Sequence, residues 1–466
     1  MVTMEHILQK IDDAVWGIPL IVLILLVGIF MTIRLRGIQL RQFGLAVRNL
    51  VTNEKTGEEG EVTAFAALCT ALSATIGTGN IVGVATAIVA GGPGALFWMV
   101  AAAIVGTATK YSECFLAIKY RVVSKDSHII GGPFYYIERG MGKNWKWLGK
   151  CFAFFGVGAG LLGIGTFTQI NGITGAVNHF FDPQNQWTVT ILGRDYSWSV
   201  VISGIILTVC AGLVLIGGLQ RISGVAQVLV PFMAAIYVTA TALILIFHAR
   251  EIPAALTLII QSAFGGRAAA GGAIGAMLLS MQKGVARGIF SNEAGLGSAP
   301  IAAAAVQTNE PAAQGLVSML GTVVDTVILC TMTGLAIIVT GAWDVGLDGV
   351  AVTTRAFQAG LPFEPRVSSF LLMVCLVCFA FTTILGWNYY SEKCLEYLIG
   401  EHGWAIKIFR RIYIACVFIG PFMTVSTVWT IADILNGLMA IPNLIAIVAL
   451  SGVIAADTRQ YLNRQK

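Results

Sequence analysis

The amino-acid sequence predicts an all-α membrane protein with eleven transmembrane helices. We expect one extra N-terminal helix followed by two five-helix repeats of opposite orientation. Three observations predict this: the composition, the recurrence of long apolar stretches, and two glycine-rich interruptions at matching places. The chain has 466 residues, of which 56% are hydrophobic and 11% charged, with a mean hydropathy of +0.80. Soluble domains are about a quarter charged, so the composition excludes an ordinary soluble protein.

Apolar stretches of about 20 residues, each long enough to cross about 30 Å of hydrocarbon, recur along the whole chain. They leave short loops and no room for a soluble domain. The stretches predict spans at residues 15–35, 62–90, 93–121, 150–181, 198–218, 222–248, 252–290, 313–341, 366–391, 404–430 and 431–456.

Basic residues concentrate on one side of these spans, beginning with Arg34, Arg36, Arg41, Arg48 and Lys55 after the first span. Cytoplasmic loops carry the excess of Lys and Arg, which predicts an external N-terminus and a cytoplasmic C-terminus in the inner membrane. Two short stretches, including RQFGLAVRNLV at 41–51, are expected to lie along the membrane surface. The net charge of +5 is spread over short loops, so we expect no nucleic-acid partner. Nothing in the sequence indicates an obligatory protein partner.

Two spans are interrupted by glycines, the first by GTGN at 77–80 and the second by GGRAAAGGAIGA at 265–276. Each begins a set of five spans, and because five is odd the second set runs in the opposite sense. Matching interruptions of this kind point to the binding site of an inverted-repeat transporter. The expected units are 1–60 (extra helix and loop), 61–250 (first repeat), 251–458 (second repeat) and 459–466 (tail).

An interrupted membrane helix exposes backbone groups that are costly unless they face protein or a polar cavity. The freed N–H groups suit a carboxylate, and the freed carbonyls suit a cation or an ammonium group. Gly77 and Gly79 permit close approach to the backbone, while Thr75, Thr78 and Asn80 add uncharged donors and acceptors. The natural guest is a small zwitterion. The alternative is that the glycines only allow tight helix packing.

Two long segments, GTGNIVGVATAIVAGGPGALFWM at 77–99 and GVARGIFSNEAGLGSAPIAAAA at 284–305, resemble the alanine or glycine:cation symporter family. The resemblance covers essentially the whole chain. One departure is visible, since the family's usual FWMW is Phe97-Trp98-Met99-Val100 here. The resemblance implies a leucine-transporter-like fold and secondary active uptake by alternating access. Alanine or glycine is the expected substrate and Na⁺ the co-transported ion, with no organic cofactor.

The resemblance also implies roles for individual residues. Amides around Thr78, Gly79 and Asn80 would bind the substrate carboxylate, and carbonyls near Thr75 and in the second break would bind its amine. The implied substrate site comprises Thr75, Gly77, Thr78, Gly79, Asn80, Gln169, Ala273, Ile274, Gly275 and Trp387. Gln169 would line the cavity and Trp387 would cap the substrate side chain. Their alternatives are interhelical hydrogen bonding for Gln169 and an interfacial position for Trp387.

The resemblance further implies a sodium site between the eighth core helix and the first break. Thr382 and Thr383 would supply hydroxyls, and carbonyls near Ser73 and Ile76 would complete an all-oxygen shell of the kind hard cations prefer. The alternative is that these hydroxyls bond carbonyls of their own helix. Ala273 stands where the resemblance implies a larger aromatic residue, which makes sodium-coupled glutamine transport the second choice. Proton coupling is a further alternative.

Ionisable residues at membrane depth are functional candidates. Asp325 would couple ion binding or pair with Lys283 or Arg287, and the structural pair is the simpler interpretation. Lys110 and Glu113, three apart on one helix face, are expected to pair with each other. Glu293 is expected to cap a helix or contact a basic loop.

Two other classes of function fit the sequence less well. A channel needs a pore lined with repeated polar rings, and no such repeat occurs. An enzyme is not expected, because the chain has no HExxH, GxSxG or P-loop motif.

Overall fold

We describe the chain from a computed structural model, over residues 2–52, 60–123, 129–191, 193–265, 272–400, 402–423 and 425–465. Helices dominate this part of the chain, as expected for long apolar segments that must satisfy their backbone hydrogen bonds internally. Four helices precede the first interrupted span: α1 (Val2–Val15), α2 (Ile18–Arg34), α3 (Ile38–Arg41) and α4 (Phe43–Thr52).

The next eight helices correspond to the expected first repeat. They are α5 (Ala64–Thr75), α6 (Val84–Gly91), α7 (Gly94–Lys119), α8 (Pro133–Tyr136), α9 (Lys146–Leu162), α10 (Phe167–Phe181), α11 (Trp198–Leu215) and α12 (Gly218–Phe247). A π-helical turn, Gly79–Gly83, leads directly into α6. Two antiparallel hairpins connect helices in this region, β1 (Val122–Val123) with β2 (Ile129–Ile130), and β3 (Thr188–Ile191) with β4 (Arg194–Ser197).

The remaining ten helices correspond to the expected second repeat and the tail. They are α13 (Ile252–Ala263), α14 (Ala273–Asn292), α15 (Ala299–Ala303), α16 (Pro311–Thr322), α17 (Thr331–Val339), α18 (Val350–Gly360), α19 (Pro365–Ile399), α20 (Gly403–Ile419), α21 (Val425–Ala449) and α22 (Ser451–Arg464). A π-helical segment, Val323–Cys330, joins α16 to α17.

Eight helices of the described residues are long and apolar enough to cross a membrane, or nine if the bent pair Ala64–Thr75 and Gly79–Gly91 forms one span. Two of the eleven expected spans are not among them. The expected span 404–430 contains α20, which has only 17 residues. The expected span 252–290 is divided between α13 and α14.

Close helix packing explains several glycines. A Cβ on Gly284 of α14 would lie 2.2 Å from the Ala95 carbonyl oxygen of α7, and a Cβ on Gly94 would lie 2.3 Å from the Ala263 nitrogen. Any side chain at these positions would separate the helices. The long helix α7 therefore lies directly against α13 and α14, in the manner of small-residue contacts in membrane bundles.

Candidate functional site

The first interruption bends the chain by 52° between Ala64–Thr75 and Gly79–Gly91. Ile76, the residue after α5, is extended, with φ −77° and ψ 93°. The Gly77 N–H donates to Asn80 Oδ1 at 2.9 Å, and the Thr78 N–H donates to Gln169 Oε1 at 3.1 Å. Two amides released by the break are thus held by side-chain oxygens, each of which another oxygen acceptor could replace.

The break is closely surrounded by other helices. A Cβ on Gly77 would lie 2.5 Å from Thr383 Oγ1 and 3.0 Å from Gln169 Oε1, and a Cβ on Gly79 would lie 3.2 Å from Ser291 Cα. Close approach, rather than a left-handed backbone, is what favours glycine here. The Thr78 hydroxyl is buried and has no hydrogen-bond partner within the described parts of the chain, so a polar group at this point is available to a ligand.

Gln169 connects the first break to another interruption, which separates α9 from α10 at residues 163–166. Its Nε2 donates to the Ile164 carbonyl at 3.1 Å while its Oε1 accepts from Thr78. The expected position of Gln169 beside the first break is therefore observed. The interruption itself was not predicted, although the glycines of the sequence GIGT at 163–166 are a signal for it.

The interruption that faces the first break lies at Glu293–Ser298, between α14 and α15. Glu293 is left-handed at φ 56°, and Gly295 and Gly297 have φ values of 92° and 79°. The end of α14 that leads into this interruption packs against the first broken span, because Ser291 lies against Gly79. The chain entering the first broken helix also pairs with the chain leaving the second, through a parallel bridge between Val62 and Val306.

The structure does not bring Ala273, Ile274 and Gly275 to the first break. These residues form the first turn of α14, where Ile274 is 69% exposed and a Cβ on Gly275 would meet nothing within 4 Å. At 1.5 Å per residue, Ile274 lies about 25 Å along α14 from Ser291, the residue that contacts Gly79. The expected second break at 265–276 is therefore misplaced, and residues 266–271 of it lie outside the described residues.

Asp325, in the π-helical segment Val323–Cys330, accepts hydrogen bonds from three neutral side chains. Asn80 Nδ2 donates at 2.8 Å, Ser291 Oγ at 2.8 Å and Thr326 Oγ1 at 2.7 Å. Within the described residues Asp325 forms no ion pair with Lys283 or Arg287, so the expected pairing is wrong. That guanidinium instead binds Asp433 through two hydrogen bonds, of 2.7 and 3.1 Å. Asp325 consequently links Asn80 of the first broken span to Ser291 at the end of α14 through neutral donors.

Glu293 and Trp387 meet at the interruption Glu293–Ser298. The Trp387 indole donates to Glu293 Oε1 at 2.7 Å, and the Ser298 hydroxyl donates to the other carboxylate oxygen. Both Glu293 and Trp387 are buried. Neither the expected basic loop contact for Glu293 nor the interfacial alternative for Trp387 is observed. This pair was not predicted, although the sequence carries a signal for it, a carboxylate beside the alternating glycines of EAGLGS.

Lys110 and Glu113 do not form the expected ion pair. Glu113 Oε1 accepts from the Asn443 amide, while the buried Lys110 ammonium has no hydrogen-bond partner within the described residues. Lys110 nevertheless interacts electrostatically with Glu113, Glu293 and Asp325. Its positive charge partly balances the three buried carboxylates around the breaks.

The residues expected to bind sodium lie where α19 crosses the first break. The Thr383 hydroxyl is 3.3 Å from the Ile76 carbonyl and 3.1 Å from the Phe379 carbonyl of its own helix. Thr382 and Ser73 donate to carbonyls of their own helices, Phe379 and Thr70. One hydroxyl and one freed carbonyl are thus adjacent, and oxygen donors of this kind suit a hard cation.

The fold has a counterpart among solved structures, a crystal structure of MhsT in complex with L-phenylalanine. The similarity has a TM-score of 0.56 at 13% sequence identity and covers 84% of this chain and 90% of that one. MhsT has the leucine-transporter fold. This fold and the family to which the chain belongs are those of membrane transporters and not of enzymes.

The chain belongs to the sodium:alanine symporter family, which matches residues 1–466. An uncharacterised transporter of Haemophilus influenzae is 50% identical over 100% of this chain and 97% of its own length. The sodium/alanine symporter AgcS of Methanococcus maripaludis is 42% identical over 98% of this chain and 96% of its own. The probable sodium/glutamine symporter GlnT of Bacillus subtilis is 35% identical over 99% of this chain and 92% of its own.

Proposed function

We propose that this protein takes up alanine or glycine together with Na⁺ by alternating access. The observation that carries the proposal is the state of the first break, where side-chain oxygens hold the Gly77 and Thr78 amides. A substrate carboxylate has the same acceptor chemistry and carries a charge, so it would displace the Asn80 and Gln169 oxygens. The unpartnered Thr78 hydroxyl would supply a further hydrogen bond.

The small volume around the break favours a small substrate. A Cβ has no room at Gly77 and little at Gly79, and the buried Trp387 follows Gly386, which lies against Ala74 of α5. We propose that the carbonyl of Thr75 binds the amine and that Trp387 limits side-chain size. Glutamine remains the second candidate, because GlnT of Bacillus subtilis is described as a probable sodium/glutamine symporter.

The sodium ion would lie between Thr383 and the Ile76 carbonyl, with oxygens of Thr382 and Ser73 completing its shell. Neutral oxygens hold Na⁺ weakly enough to release it after transport. One ion crossing 100 mV releases about 2.3 kcal/mol, and a tenfold gradient adds about 1.4 kcal/mol. The sum of these free energies would concentrate substrate about 500-fold. A single Na⁺ per substrate molecule is therefore sufficient to drive accumulation.

We also propose how the chain crosses the membrane. Eleven spans, with the core arranged as two inverted repeats, would place the two interruptions at Ile76–Thr78 and Glu293–Ser298 opposite each other. The basic loops then face the cytoplasm and the N-terminus lies outside, in the inner membrane.

Uptake of radiolabelled alanine into proteoliposomes tests this function. An inward Na⁺ gradient should drive accumulation above equilibrium, whereas K⁺ in place of Na⁺ should not. Accumulation driven equally by a proton gradient without Na⁺ would establish proton coupling in place of sodium coupling. Competition with unlabelled glycine, serine and glutamine would rank the substrates.

A further inference from the structure

Five arginines surround one cavity of about 310 Å³ at the ends of α2, α4 and α22. We call it the arginine pocket. Its charged lining residues are Arg34, Arg36, Arg41, Arg48 and Arg459, and among the described residues the rest of the lining is polar or apolar, without any Asp or Glu. All five arginines are exposed, so a ligand can reach them from outside the protein.

None of these five guanidinium groups forms an ion pair within the described residues. Two carboxylates near α22 are already engaged, since Asp457 pairs with Lys119, and Glu310 pairs with Arg464 at 3.1 Å. Like charges gathered around one cavity repel each other unless an anion lies between them. The pocket therefore has the charge of an anion-binding site.

The fold holds this pocket in a defined shape. Arg36 adopts a left-handed conformation, φ 55°, which is unfavourable for a side chain with a Cβ. With Gly37 it turns the chain from α2 into α3. The opposite wall is fixed by Tyr461, whose hydroxyl accepts from Asn49 Nδ2 at 3.2 Å, and by Thr458, which bonds Tyr111 at 2.7 Å.

Apolar side chains lie exposed beside the arginines. On α2, α3 and α4 they are Ile33 (72% exposed), Leu40 (75%), Phe43 (42%), Val47 (41%) and Val51 (74%). Exposed apolar residues on a surface helix next to a span, with arginines between them, are typical of a helix at the membrane interface. Such a helix would place the arginine pocket at the depth of the lipid headgroups.

We propose that the arginine pocket binds the phosphate headgroup of an anionic phospholipid, whose acyl chains lie along the exposed apolar side chains. Guanidinium groups bind phosphate oxygens by paired, charge-assisted hydrogen bonds. Basic pockets beside membrane helices bind anionic headgroups in this way. A free phosphate would match the arginines but not the neighbouring apolar surface. With the proposed orientation, the lipid belongs to the cytoplasmic leaflet.

Native mass spectrometry of the purified full chain tests the proposal, with phosphatidylglycerol as the probe and phosphatidylcholine as the neutral comparison. The test variant is Arg36→Gln with Arg459→Gln. The matched control is Arg139→Gln with Arg411→Gln, which removes two exposed basic charges of the same expected cytoplasmic side. We expect the test variant to bind phosphatidylglycerol at least about tenfold more weakly, and the control to bind it as the wild type does.

The proposal would be overturned by undiminished phosphatidylglycerol binding by the test variant, by an equal loss in the control, or by equal binding of phosphatidylcholine by the wild type. Displacement of the lipid by millimolar inorganic phosphate would show that a free anion suffices and would also contradict it. If the first variant does not fold, the double variant Arg41→Gln with Arg48→Gln takes its place in the test, because it removes two other charges that line the same pocket.

Discussion

The side chain of Asn80 links the backbone of the first break to Asp325. Its Nδ2 donates to the Asp325 carboxylate at 2.8 Å, and its Oδ1 accepts from the Gly77 amide at 2.9 Å. Because an amide side chain cannot reverse without breaking both bonds, Asp325 fixes which atom of Asn80 faces Gly77. The carboxylate in the π-helical segment thereby orients the acceptor at the expected substrate site.

Asp325→Asn should reduce alanine uptake by about ten- to a hundredfold, because a hydrogen bond to a charged group contributes about 1.5–3 kcal/mol. The new amide would offer one acceptor where the carboxylate serves three donors. Initial rates in proteoliposomes measure the effect. Asp344→Asn, at an exposed position beyond α17, is the control and should transport normally. Normal uptake by Asp325→Asn would remove Asp325 from the site.

Gly77→Ala should abolish most uptake, since its Cβ would lie 2.5 Å from Thr383 Oγ1 and 3.0 Å from Gln169 Oε1. Gly275→Ala is a matched control, because a Cβ there meets nothing within 4 Å. Uptake and expression of both variants should be measured together. A larger loss in Gly275→Ala than in Gly77→Ala would restore the start of α14 as part of the substrate site.

Trp387→Phe keeps a ring but removes the N–H that binds Glu293. We expect alanine affinity to fall roughly fivefold, since a buried carboxylate loses a donor. A double-mutant cycle with Glu293→Gln measures the coupling between the two residues, which should be about 1 kcal/mol or more for directly bonded partners. Strictly additive effects would mean that this hydrogen bond does not shape the site.

The pair of Arg287 and Asp433 should contribute to stability. Its side chains are only 19% and 11% exposed, so Arg287→Gln leaves a buried carboxylate unpaired at a cost of about 3–5 kcal/mol. The melting temperature in detergent should fall clearly. Arg287→Met combined with Asp433→Leu should recover much of the loss. Arg464→Gln, in an exposed pair, should cost less than about 1 kcal/mol. Equal melting temperatures of Arg287→Gln and the wild type would show that this pair does not stabilise the protein.

The first break could be predicted from the sequence because glycines with polar neighbours interrupt an apolar run only where protein surrounds them. Gln169 and Thr383 lie at this break as expected. The second break was misplaced because glycine content alone cannot distinguish a buried interruption from an exposed helix start. Ile274 is exposed at such a start, whereas the interruption at Glu293–Ser298 is buried and Glu293 binds Trp387.

The hydrogen-bond partners of the buried charged residues could not be predicted from the sequence either. Charge pairing suggested Arg287 for Asp325, yet neutral donors from Asn80, Ser291 and Thr326 satisfy that carboxylate. Thr326 is adjacent in sequence, but Asn80 and Ser291 come from two other segments, and their convergence on Asp325 depends on how the helices pack. Periodicity within one segment carries no information about such contacts.

We propose above that one site at the first break binds the amino acid together with Na⁺. Equilibrium binding of radiolabelled alanine to the purified protein tests it most directly, in Na⁺ and in K⁺, for the wild type and for Thr383→Ala. We predict tight binding by the wild type in Na⁺, little binding in K⁺, and a Na⁺ requirement raised about tenfold or more in Thr383→Ala. Equal affinity of the wild type in both ions, or an unchanged Na⁺ requirement in Thr383→Ala, would contradict it.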